Sequence, residues 1–271
     1  MKTQSTFIQR YSLLLFLILT PLISLAIPLF SSLPTQAVPL ILVCVPPLLA
    51  IIFTALSEGG KGVGALLKKL VQVRVGFKWY AIAISLALGL RLAMSALALI
   101  LGWIPAIQMN PWSPPEFIII GVFTFIGAVM EELGWRGYAL PRLLAHRSAL
   151  LSALIIGIPW GIVHLGLILP GQMNAGTSWM GTILFLMGLS VILTWFFIHT
   201  RGSLVIVILY HAAQNYFVFL NGGIDLAPSM WLLTAVTFAL ALVLALLFGV
   251  NLQRSSVDKP AVVDASWLES E

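Results

Sequence analysis

The sequence predicts an all-α polytopic membrane protein with eight transmembrane helices and both termini in the cytoplasm. Three observations predict it. Of 271 residues, 60% are hydrophobic and only 8% charged, against roughly a quarter charged in a soluble domain. Apolar runs near the ~20 residues that a bilayer demands recur along the whole chain. Lysines and arginines fall on every second connection between those runs, as the positive-inside rule requires of an even number of spans. The net charge of +5 is scattered between apolar runs rather than gathered on one face. That excludes nucleic acid as a partner and leaves the lipid bilayer, so the expected location is the cell membrane, crossed many times.

The first span, 11–30, follows Lys2 and Arg10. It is longer than the apolar core of a signal peptide and lacks a clear small-x-small cleavage site, so it reads as a helix that stays. The second span, 38–56, holds Cys44 beside Pro46-Pro47. A single cysteine excludes an intrachain disulfide, and an apolar context makes it a packing residue rather than a nucleophile. Residues 58–78 then carry Lys61, Lys68, Lys69, Arg74 and Lys78 against Glu58. This basic, partly amphipathic connection is suited to the anionic inner leaflet. The later spans are 79–101, 116–140, 149–169, 177–198, 203–220 and 229–250. Arg136, Arg142 and Arg147 mark the fourth connection, Arg201 the sixth, and Arg254 and Lys259 the tail. Trp79, Trp103, Trp112, Trp179, Trp195 and Trp231 lie near span ends, where an indole is best placed. Residues 1–250 read as one transmembrane domain, and 251–271, with Asp258, Asp264, Glu269 and Glu271, as a flexible cytoplasmic tail.

Few ionisable groups remain inside the spans: Arg91, Glu131, Glu132, Arg136, His164 and His211. Such groups are costly in a bilayer and usually face the bundle interior. Glu132 and Arg136 are four apart, share a helix face and pair. Glu131 points about 100° away and is left for chemistry. Trp160 and His164 are one turn apart, as are His211 and Asn215. A His and an Asn aimed the same way supply two donors converging on one point, which is what an oxyanion site needs. Arg91 requires a carboxylate (Glu116, Glu131 or Glu132) or backbone carbonyls.

Glu131-Glu132-x-x-x-Arg136-Gly137, then Trp160-x-x-x-His164, then His211-x-x-x-Asn215, stand in order on three separate spans. This set resembles the CPBP family of intramembrane proteases, which includes the Rce1-type CAAX prenyl endopeptidases. The resemblance covers roughly 117–220, the stretch expected to form the catalytic core. One departure is Trp160, where the family pattern usually has Phe. The resemblance implies an endopeptidase acting on a membrane-associated or prenylated (CAAX-type) protein or peptide, from a cavity open to the cytoplasm. It implies that Glu131 and His164 activate water, His211 and Asn215 hold the carbonyl oxygen, and Glu132 with Arg136 orients Glu131. Two histidines and a glutamate are also a catalytic zinc set. A zinc ion on Glu131, His164 and His211 and a metal-free route are therefore both open.

Two other classes compete. A proton-coupled transporter uses the same residue types but predicts matching halves with broken helices, and no such repeat is present. A non-catalytic bacteriocin-immunity or scaffold protein has no need of the full polar set. One tension concerns depth: His211 lies about three turns from the cytoplasmic end of its span, whereas His164 lies nearer the outer end. The constellation closes only if Pro159, or a later start of the fifth helix, brings His164 inward.

Overall fold

The computed structural model describes residues 7–30 and 33–253; the expected flexible tail lies outside them from residue 254 onward. The described residues are mostly helical. The elements are α1 (Phe7–Phe30), α2 (Ala37–Leu42), α3 (Val45–Lys68), α4 (Phe77–Ile100), α5 (Pro114–Glu132), a π-helix (Leu133–Ala139), α6 (Leu140–Leu144), α7 (Ala149–Ile168), α8 (Trp179–His199), α9 (Leu204–Tyr216) and α10 (Leu226–Phe248). Short 3₁₀ turns follow α3 (Lys69–Val71) and α9 (Phe217–Asn221). Taken with their continuations, these make eight helices long and apolar enough to cross a membrane. Among the described residues the only β pairing is an isolated bridge between Gln108 and Gly222.

The hydrophobic pattern decides which helices sit inside. α8 is apolar all round and buried almost without a break from Gly188 to Ile198, as a core helix should be. Its closest partner is α7, and two glycines permit the approach. A Cβ on Gly157 would stand 2.5 Å from the Cα of Met187, and one on Gly161 2.8 Å from the Cα of Ile183. Small residues spaced by four let helix backbones meet in a membrane, where packing replaces the hydrophobic effect. α5 instead turns Ile118, Val122 and Phe125 outward as a lipid face.

The second span differs from the expected 38–56. α3 runs on to Lys68, with Gly59 at φ +67° breaking it where the apolar run ends. The basic stretch is therefore largely helical, and part of it packs on protein. Leu66 is buried, and Lys69 Nζ donates to the carbonyl of Gly137 at 2.9 Å. Arg142, beyond the π-helix, pairs with Glu58 and lies over the Tyr138 ring at 3.8 Å. Lys61, Lys68, Arg74 and Lys78 are exposed.

Segment 69–75 also covers the entry to α9. Ser203 Oγ donates to the carbonyl of Gln72 at 2.7 Å, and Gln72 Nε2 donates to that of Arg201 at 3.2 Å. Gly202, Ser203 and Leu204 are buried, so α9 starts inside the bundle rather than at its rim. This recess offsets the helices and answers the depth tension. α5 with its continuation and α7 form a hairpin about residues 145–148, which leaves Glu131 and His164 at similar distances from the bend. The recessed start brings His211 to the same level after only two turns of α9.

Candidate active site

Glu131 and Glu132 end α5, and the buried π-helix that follows carries Arg136. π turns are rare and concentrate at functional sites. Gly137 has the room to pass between neighbours: a Cβ there would lie 3.0 Å from Leu66 and 3.3 Å from Leu204.

Glu132 and Arg136 pair as the spacing predicts. Arg136 Nη1 donates to Glu132 Oε1 at 3.0 Å, with both side chains fully buried. The guanidinium also lies over the indole of Trp160, its Cζ 4.4 Å from the ring centroid. Such a cation–π contact strengthens when desolvated. Glu132 has a second partner that sequence reasoning missed: His211 Nδ1 donates to the same Oε1 at 2.8 Å. The signal available was that a carboxylate has four lone-pair sites and one arginine contact leaves most of them unused.

Glu131 faces the two imidazoles instead. Its Oε1 is 3.8 Å from His164 Nε2, and its Oε2 is 3.6 Å from His211 Nε2. These separations are too long for a direct hydrogen bond and short enough for one small molecule to touch both sides. The other ring nitrogens are engaged. His164 Nδ1 lies 3.0 Å from the carbonyl of Trp160, and His211 Nδ1 faces Glu132. Both partners can only accept, so both Nδ1 atoms carry hydrogen, a choice assigned from the network. Each Nε2 is thereby aimed at Glu131.

Trp160 is fully buried and holds the group together. Its ring meets those of His211 and His164 edge-on, at centroid distances of 5.3 and 6.1 Å. On its other side it packs on Trp135 at 6.4 Å, which in turn meets Phe16 at 5.3 Å. The larger indole therefore fills space between Arg136 and the imidazoles rather than intruding on Glu131.

Asn215 stands one turn beyond His211 on α9, half-buried, and its side chain makes no hydrogen bond to another described residue. Glu131 is almost fully covered, whereas His164 is 25% exposed. Access to the cluster thus lies on the side of His164. An apolar groove between α4, α5 and α9, lined by Ile84, Gly121, Thr124, Phe125, Ala212 and Tyr216 among others, opens elsewhere on α9 and does not include the imidazoles.

Arg91 has no carboxylate partner among the described residues. Glu116 caps its own helix through Ser113, and Glu131 and Glu132 serve the imidazoles and Arg136. Arg91 bonds a backbone carbonyl and Asn221 instead.

The donor types at Glu131, His164 and His211 suit zinc, but among the described residues no three His, Cys, Asp or Glu side chains are arranged to hold a metal ion. The cluster can take a proton from a water at Glu131, offer a second nitrogen at His164, and present polarising groups at His211.

Comparison with known proteins points the same way. Residues 111–217 match the family model described as Type II CAAX prenyl endopeptidase Rce1-like. A curated relative, CAAX prenyl protease 2 of Methanococcus maripaludis, is 29% identical over 107 residues, covering 37% of this chain and 40% of that protein. The matched stretch contains Glu131, Glu132, Arg136, Trp160, His164, His211 and Asn215, and excludes Arg91.

Proposed function

We propose that the protein is an intramembrane endopeptidase of the CPBP type, a reading supported by the match of residues 111–217 to the Rce1-like family model. Its substrate is a membrane-associated protein or peptide, with a prenylated CAAX-type C-terminus as the class to try first. The observation that carries this reading is the convergence of two Nε2 atoms on one buried carboxylate, from three helices far apart in sequence.

A water held between Glu131 and His164 loses its proton to Glu131 as its oxygen attacks the peptide carbonyl carbon. The developing oxyanion is held by His211, oriented through its contact with Glu132, and by the amide of Asn215. The proton then passes from Glu131, with His164 at hand, to the leaving nitrogen as the C–N bond breaks. Arg136 pairs with Glu132, and Glu132 fixes His211. The half-buried, unbonded state of Asn215 suits a donor kept for substrate.

Purified protein in lipid vesicles should cleave quenched-fluorescent peptides ending in S-farnesylcysteine-aliphatic-aliphatic-X, with the non-prenylated peptides as the comparison. Absence of cleavage of every peptide, with wild type and Glu131→Gln alike, sinks the peptidase reading. A chelator arm separates the routes: inhibition reversed by zinc selects the metal route, and insensitivity the metal-free one.

We also place both termini and the 145–148 bend on the cytoplasmic side, because basic residues occupy alternate connections. Reporter fusions after Gly59 and Arg147 should read cytoplasmic, and those after Gln36 and Gly171 outside. The opposite pattern at these sites inverts the topology.

A further inference from the structure

Arg91 is a cation buried in the middle of α4, 5% exposed, without an ion-pair partner among the described residues. Its donors converge on one place. Nε and Nη2 both bond the carbonyl of Gln214, at 2.9 and 2.6 Å, and Nη1 bonds Asn221 Oδ1 at 3.1 Å. Asn221 Nδ2 donates to Ser95 Oγ at 2.8 Å, and Ser95 Oγ donates to the carbonyl of Leu220 at 2.9 Å. Two side chains of α4, one turn apart, thus grip the stretch 214–221, where α9 ends at Tyr216 and tightens into its 3₁₀ turn.

The carbonyl that Arg91 holds belongs to the peptide joining Gln214 to Asn215. The last carbonyls of a helix have no intrahelical donor and form the negative end of its dipole. A fork of guanidinium donors on one of them is both a cap and a charge complement, and the fork makes it directional in a way an ammonium is not. Nothing in general stability demands a full charge here, because an amide would satisfy a carbonyl at much lower desolvation cost. What the fork adds is a fixed orientation for the peptide from which the Asn215 side chain projects.

We propose that Arg91 is a positioning residue for Asn215. It pins the end of α9 so that the Asn215 amide stands ready toward the substrate carbonyl, although Arg91 touches neither substrate nor the reacting water. This rests on the reading of Asn215 as an oxyanion donor. Preorganised donors stabilise a transition state because they need no reorientation when charge develops, so loss of the pin should appear in kcat rather than KM.

The test is a double-mutant cycle on cleavage of the farnesylated peptide. Asn215→Ala is expected to lower kcat by ~10²–10³-fold, the range for loss of one oxyanion donor. Arg91→Met should lower kcat by about 10-fold or more with KM within about 2-fold, and Arg91→Lys should recover only part of it. In the double variant, Arg91→Met should add little to Asn215→Ala. Full multiplicativity of the two losses, or an unchanged kcat in Arg91→Met, overturns the proposal. An unchanged kcat in Asn215→Ala overturns the oxyanion reading instead, and the two failures are thus distinct. Amide hydrogen exchange of 212–221 in lipid nanodiscs provides a readout independent of turnover. It should rise in Arg91→Met relative to residues 204–210, and equal protection in both stretches overturns the pin. If Arg91→Met does not fold, Arg91→Lys must show the same non-additivity and the same local rise, or the proposal fails.

Discussion

Glu131→Gln abolishes cleavage and leaves the protein folded: that is the largest effect expected from any single conservative change. Among the described residues Glu131 is the only carboxylate facing both Nε2 atoms, and it makes no ion pair with Arg136, which is occupied by Glu132. The amide has the same shape and cannot accept the proton of a water. Loss of a positioned general base costs ~10²–10⁴-fold in rate. The unfolding midpoint in detergent should stay near that of the wild type, since no buried cation loses its partner. Retained turnover would remove Glu131 from the chemistry.

Arg136→Ala should act in the opposite sense, on stability first. Both members of the Glu132–Arg136 pair are fully buried, so neither solvent nor salt screens the charge that remains. Removing one partner of such a pair typically costs about 3–5 kcal/mol, because the survivor is an uncompensated buried ion. The Trp160 face also loses its cation. Unfolding of purified protein in mixed micelles should show a clear fall in the midpoint. Glu132→Gln placed in the same chain should restore part of it, because the stranded carboxylate is gone. Activity should not return with stability, because His211 Nδ1 then faces an amide rather than a carboxylate. An unshifted midpoint in Arg136→Ala would mean that the pair carries no structural load.

These two expectations divide two adjacent glutamates by what surrounds them, and most of that division was legible in the chain. The four-residue spacing from Glu132 to Arg136 assigned the ion pair, and helical phase turned Glu131 elsewhere. The second bond on Glu132 was not legible, because His211 is 79 residues away and no local pattern reports a contact between helices. Arg91 was open for the same reason. A carboxylate was one of its expected partners, and the carbonyl of Gln214 that it meets is main chain, which carries no mark in a sequence.

The sequence by itself determined the eight apolar helices, because each must satisfy its own backbone in lipid and needs no neighbour to do so. It also determined which polar residues would be confined to the interior, since a bilayer penalises them anywhere else. Depth and facing were decided only by tertiary structure. The continuation of α3 past Gly59, the π-helix after Glu132 and the recessed start of α9 under residues 69–75 together set where the three helices cross. Each depends on long-range packing and on side chains bonding distant carbonyls, such as Lys69 on Gly137 and Ser203 on Gln72. Those contacts offset the helices and bring Glu131, His164 and His211 to one level.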